Sequence, residues 1–166
     1  IVTGAYGFTG RYIARRLLDL GQKVKTLTGH PERECPFGGE VSVAPYLFDE
    51  PRALAAELEG ATTLYNTYWI RMERGTTTFD RAVVNTEILM RSARKAGVRR
   101  IVHISIVNAD ENSPFPYFRA KWRAEQVIRE CRRHRPPGDE SGIDDEHENP
   151  GDAAPARPRH RPHGLR

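Results

Sequence analysis

The opening stretch, IVTGAYGFTGRYIARRLL, constrains the fold more than any other part of the chain. Glycine stands at Gly4, Gly7 and Gly10, between a β-type stub at residues 1–3 and an apolar helical pattern. Backbone N–H groups that converge at a helix N-terminus attract phosphate, because their donors are unpaired and the helix dipole favours negative charge there. Close approach needs residues without a Cβ. Gly4 permits the tight turn, Gly7 admits a pyrophosphate, and Gly10 lets the helix pack on the sheet. The loop residues Gly4, Tyr6, Gly7, Phe8, Thr9, Gly10 and Arg11 are therefore candidate dinucleotide contacts. An ordinary glycine-rich turn is the other reading of this spacing, and the following segments decide between them.

Those segments alternate short β-type runs with amphipathic helical runs, the pattern of βαβ units and a parallel sheet. The first helix is predicted over 10–20, with Ile13, Leu17 and Leu20 on one face and Gly21 as its stop. Strands follow at 23–28 and within 40–48, where Val41 and Val43 alternate. A helix over 49–60 has Pro51 in its first turn and turns Leu54 and Leu58 inward. A strand at 62–68 leads to a longer helix at about 79–96, then to a strand at 99–105. The last helix, about 117–130, carries Phe118, Trp122 and Ile128 at helical spacing. The expected fold is α/β, a Rossmann-type doubly wound parallel sheet truncated after its fifth strand and the following helix.

After Cys131 the pattern stops. Residues 132–166 hold six of the twelve prolines, seven arginines and seven acids, and little that is apolar. Their formal charges cancel, so the net charge of +4 belongs to residues 1–131. The same stretch explains the low mean hydropathy of -0.64. It cannot bury enough apolar surface to offset its ordering entropy, so the sequence predicts a domain at 1–131 and a disordered tail at 132–166. The tail is either a genuine extension or an out-of-frame translation of a GC-rich gene, and its abrupt onset favours the second. The chain lacks an initiating Met and starts inside a strand, which suggests a fragment at its front end.

Composition narrows the function classes. The arginines of the folded part are scattered as on solvated helix faces, with no basic stripe interleaved with aromatics, so no nucleic-acid partner is expected. Cys35 and Cys131 are solitary, in neither metal-ligand nor disulfide spacing, which suits a cytoplasmic protein. No apolar run reaches the length of a membrane span and no signal peptide is recognisable. Neither a metal nor a membrane partner is expected, and nothing in the sequence fixes an oligomeric state.

At the end of the second strand an acid would bind the ribose 2′-hydroxyl of NAD. The stretch TLTGHPER has none before Glu32, whereas Arg11, His30 and Arg33 suit a 2′-phosphate. NADP is thus the expected cofactor, with NAD as the alternative; plain loop charges are the other reading of these three residues.

With the glycine loop and SIVNADENSPFPYFRAK both in view, residues 1–131 resemble the short-chain dehydrogenase/reductase superfamily, nearest its atypical NmrA-like and epimerase-like branch. The resemblance implies a small-molecule substrate and NADP-linked oxidoreduction or epimerisation, or a non-catalytic dinucleotide sensor. Catalytic members use a Tyr-x-x-x-Lys pair with an upstream hydroxyl. Tyr117 and Lys121 match the pair, and Ser105 is the nearest match to the hydroxyl. Positions four apart share a helix face, and an ammonium favours a phenol's ionised form, which suits proton transfer. Beyond Ser105, Ile106 and Val107 stand where catalytic members commonly carry further hydroxyls.

Other matches are softer. Asp49 follows the third strand, where the family places an acid near the adenine; a helix N-cap is the alternative. Asn66 and Thr67 end the fourth strand, on the edge that faces the cofactor in such sheets. Asn85 reads either as a family-like helix asparagine or as a polar surface residue. Trp69 and Trp122 read as packing, and His103 as a core residue.

Overall fold

The computed structural model of the chain describes residues 1–133. The predicted tail beyond them, 134–166, lies outside the described residues. The elements run β1 Val2–Thr3, α1 Phe8–Asp19, β2 Val24–Thr28, β3 Val41–Pro45, α2 Pro51–Leu58, β4 Thr63–Asn66, α3 Phe79–Lys95, β5 Arg100–His103 and α4 Pro116–Arg133. All five strands are parallel, in the order β3-β2-β1-β4-β5. The chain therefore reverses direction across the sheet between β1 and β4. In open α/β sheets ligands bind beyond the carboxyl ends of the strands at such a switch point.

Each face of the sheet carries its own apolar cluster. On one, Ala14 of α1 packs with Val2, Val24, Phe37 and Val41. On the other, α2 and α3 bring Leu54, Leu58, Leu89 and Met90 against Leu27 and Leu64, with Ile128 of α4 beside them. Leu54, Leu58, Leu64 and Leu89 are wholly buried, and each such side chain contributes about 2 kcal/mol of transfer free energy. Thr78 caps α3 by accepting from the Arg81 amide at 3.1 Å, while Asp80 in its first turn and Arg94 and Lys95 in its last complement the dipole. Among the described residues, no helix is long and apolar enough to cross a membrane.

Several sequence expectations need correction. Helix α1 starts at Phe8, earlier than position 10, and the residues it buries are the small Gly10 and Ala14. Leu20, expected inward, is 54% exposed, because it falls past the last turn, at the C-cap. Val43 is also exposed, since β3 is an edge strand and only Val41 and Ala44 face inward. Helix α4 runs on to Arg133, beyond the boundary at Cys131, and its fully buried residues are Ala120, Lys121 and Ala124 rather than the larger Phe118 and Trp122.

Candidate functional site

The glycine loop forms the tight turn that its spacing requires. Gly4 has φ +64°, the left-handed region that glycine enters without steric cost. Its carbonyl accepts from the Gly7 amide at 2.8 Å. Gly10 sits against that turn: a Cβ there would stand 2.8 Å from the Gly4 carbonyl carbon and overlap the carbonyl oxygen. Gly7 is the N-cap of α1, with no side-chain cap and no acid in the first turn. The amides of Phe8, Thr9 and Gly10 have no acceptor within the helix by its geometry, and they open beside β1. Gly7, Phe8 and Thr9 are exposed, while Tyr6 is half-buried against the α1 cluster. The Arg11 guanidinium lies over the exposed rings of Phe8 and Tyr12, 5.4 and 5.3 Å from their centroids.

Thr3 ties the ends of β1 and β4 together. Its Oγ1 accepts from the amides of Thr67 (2.7 Å) and Tyr68 (2.9 Å), and the Thr67 hydroxyl donates to the Thr3 carbonyl. Asn66, expected at the cofactor edge, is instead wholly buried beneath it. Its Oδ1 accepts from the Tyr68 amide at 3.1 Å, which fixes the amide's orientation, and its Nδ2 is 3.0 Å from His103 Nδ1. His103 Nδ1 is therefore the acceptor and Nε2 carries the proton; Nε2 is buried without a partner. Burial, helped by the Lys121 charge, pushes the imidazole down to about 4, so it is neutral near pH 7.

Tyr46 spans the first two loops. Its hydroxyl lies 3.6 Å from the Cβ position of Gly4, and its ring 3.9 Å from that of Gly29. It stacks on Phe48 at 4.9 Å and meets Tyr68 edge-on at 5.0 Å. Burial and the neighbouring Tyr68 hold its phenol above the ordinary range. Asn85 donates to the Tyr68 hydroxyl at 2.8 Å and is only 7% exposed, so it is not a surface residue. A cleft of about 460 Å³ opens here, lined by Tyr68, Ile70, Thr78, Arg81 and Asn85 among others.

Of the remaining candidates, Asp49 is not the N-cap of α2. That position is Glu50, without a side-chain bond, and the Asp49 carboxylate meets Arg81 of α3 at 2.5 Å. His30 and Arg33 are exposed in the loop after β2, with His30 Nδ1 3.5 Å from a Glu32 carboxylate oxygen.

Helix α4 brings its pair to the ends of β4 and β5. The Tyr117 ring is held edge-on by Trp69, Phe79 and Phe118, with centroids 6.3, 5.6 and 5.8 Å away. Lys121 is 3% exposed. Its Nζ stands 4.4 Å over the Trp69 ring and donates to the Ile104 carbonyl at 3.4 Å. Burial lowers the ammonium to about 8, against an opposing pull from Glu125. The Ser105 hydroxyl donates to Glu125 Oε1 at 2.5 Å.

A family model described as NAD(P)H-binding matches residues 4–134, from the first loop glycine through α4. The chain belongs to the NAD(P)H-binding family. It is 38% identical over 114 residues to sterol demethylase protein B of Methylococcus capsulatus, covering 66% of this chain and 34% of that protein. It is 30% identical over 131 residues to (4-alkanoyl-5-oxo-2,5-dihydrofuran-3-yl)methyl phosphate reductase of Streptomyces griseus, covering 78% and 43%. The crystal structure of Citrobacter sp. triphenylmethane reductase complexed with NADP(H) has the same fold, at a TM-score of 0.63 and 22% identity, covering 79% and 45%. The chain thus spans less than half the length of these proteins.

The loop of this NAD(P)H-binding chain fits a dinucleotide on its own geometry. The α1 amides are uncapped by any side chain, Gly7 keeps the space beside them free of a Cβ, and Gly10 lets α1 close on the Gly4 turn. Sequence reasoning missed Tyr46, Thr3 and Glu125. Tyr46 and Thr3 left no local signal, because their roles depend on strands far apart in sequence. Glu125 did leave one, standing four residues beyond Lys121.

Proposed function

We propose that the chain is the cofactor-binding part of an NADP-linked reductase acting on a small substrate, with Tyr117 and Lys121 as its catalytic pair. The observation that carries this reading is the burial of Lys121 at 3% exposure, beside the ends of β4 and β5 and one helical turn beyond Tyr117. A lysine is almost never fully buried without a reason, since desolvating its charge is costly. A lysine that only opened a surface helix would extend into water.

When bound, NADPH supplies the hydride equivalent. The chain's own residues then have distinct tasks. The amides opening α1, beside Gly7, would hold the pyrophosphate, and Gly10 keeps α1 packed on the turn that positions them. Arg11, His30 and Arg33 would meet a 2′-phosphate, and Asp49 and Thr67 are the candidate cofactor contacts after β3 and β4. The Tyr117 hydroxyl donates a proton to the substrate oxygen, its direction set by the three rings around it. The Lys121 ammonium, anchored on the Ile104 carbonyl, stabilises the negative charge left on the Tyr117 oxygen. The cleft beside Tyr68 and Asn85 is one candidate substrate pocket, and a second of about 480 Å³ is lined by Phe79 and Pro116, both next to Tyr117. Reduction is favoured over epimerisation because one curated relative is named as a reductase.

NADPH oxidation with a panel of carbonyl and conjugated substrates tests the reading. Tyr117→Phe keeps the ring contacts and should cut turnover by about 10² or more, with NADPH affinity unchanged. A non-catalytic dinucleotide sensor is the second reading, favoured by the Ser105 hydroxyl being engaged by Glu125. NADPH binding without turnover of any substrate would select it.

A further inference from the structure

Helix α4 presents Tyr117, Lys121 and Glu125 at four-residue intervals, and such positions share one helix face. Glu125 is not a solvated partner. Its side chain is 21% exposed and its two oxygens are divided between two neighbours. Oε1 accepts from the Ser105 hydroxyl at 2.5 Å, and Oε2 lies 3.4 Å from the Arg129 guanidinium. A carboxylate only accepts, so the single proton of Ser105 is committed to it.

We propose, building on the reading of Tyr117 and Lys121 above, that Glu125 is a positioning residue that holds the Ser105 hydroxyl and, one helical turn beyond Lys121 but outside ion-pair distance, lends the buried ammonium a nearby negative charge. Ser105 then offers its surroundings lone pairs rather than a proton, and the proton for the substrate oxygen is left to Tyr117. The other groups facing Lys121 do not fill that role. His103 on β5 is neutral near pH 7, because burial and Lys121 lower it. Trp69, after β4, offers a ring face, and the Ile104 carbonyl after β5 is a neutral acceptor. On the neighbouring α3, Asp80 is paired with Arg123 and its side chain is 78% exposed, so water screens its charge far more than that of Glu125. Burial lowers the Lys121 ammonium and the Glu125 charge opposes it, the effect expected of a nearby opposite charge.

The chain contains four lysines, Lys23, Lys25, Lys95 and Lys121, of which Lys121 alone is buried. A pH titration of the whole chain labelled with 13C at the lysine ε-carbon therefore follows Lys121 directly, with Lys121→Arg assigning its signal. The midpoint should lie near 8 in the parent chain. It should fall by roughly one unit in Glu125→Gln. In Glu125→Asp, where the charge is kept but drawn back by one methylene, it should fall by less. General loosening of the fold has the opposite sign, since it moves the midpoint up toward the free-lysine value. A midpoint that is unchanged or raised in Glu125→Gln overturns the proposal. If that variant does not fold, an unchanged or raised midpoint in Glu125→Asp does so. NADPH titration of the parent chain tests the cofactor reading separately, so the two failures are distinguishable.

Discussion

A Cβ on Gly10 would stand 2.8 Å from the carbonyl carbon of Gly4 and closer still to its oxygen, whereas one on Gly7 would meet that oxygen at 3.2 Å. The two glycines therefore serve different ends. Gly10→Ala must push α1 off the turn and should destabilise the fold by about 1–3 kcal/mol, visible as a lowered Tm. Gly7 has φ -79°, open to any L-residue. Gly7→Val must ease the Gly4 carbonyl aside by a few tenths of an ångström and should still fold, yet weaken NADPH binding by more than tenfold by occupying the space at the α1 amides. Calorimetry and fluorescence titration separate the two effects, and unchanged NADPH affinity in Gly7→Val would count against the cradle.

Cofactor choice follows from the loop after β2. No acid precedes Glu32 there, and Arg11, His30 and Arg33 are all exposed. NADPH should bind more tightly than NADH to the same preparation, and Arg33→Ala should narrow the gap. Tighter NADH binding would sink the argument.

Burial of Lys121 carries a cost that can be measured. Its folded value, about 8, lies below the ordinary 10.5, so between those pH values the unfolded chain binds more protons. The stability contribution of this residue is then complete above about pH 10.5 and is lost as pH falls through 8. Lys121→Met should raise stability at pH 7 by about 1–2 kcal/mol after allowing for the lost contact with Trp69. The gain should shrink toward pH 10, and the variant should lose any reductase turnover. A Tm that falls at pH 7 would argue against it.

His103 gives a second pH signature, in the acid range. Its folded value, about 4, lies below the ordinary 6.5. Stability from this residue is present above pH 6.5 and lost as pH falls through 4, a change of about 3 kcal/mol. His103→Gln should flatten that part of the Tm profile, as read by thermal melts between pH 4 and 7. An unchanged slope would show that the acid sensitivity lies elsewhere.

The element pattern was legible because strands and helices announce themselves locally. Alternation and helical spacing fixed nine segments, each later found within a few residues of its expected place. What failed was face assignment at the margins. Leu20 and Val43 carry the right chemistry, yet they sit at a helix end and on an edge strand, where no neighbour covers them. Asn66 failed for a related reason. Its position at the end of a strand was right, but only the pairing of β4 with β1 and β5 decides that its amide is consumed by Tyr68 and His103.

The sequence by itself determined the order of elements, the glycine turn and the four-residue spacing of Tyr117 and Lys121, because each depends on residues close in the chain. The tertiary structure decided how those residues are charged and partnered. Lys121 is buried only because α4 lies over Trp69 and Ile104, more than a dozen residues away in sequence on either count. Ser105 is engaged only because the same helix brings Glu125 to the end of β5. Desolvation and hydrogen-bond direction depend on what surrounds a group in space, and spacing along the chain does not carry that information.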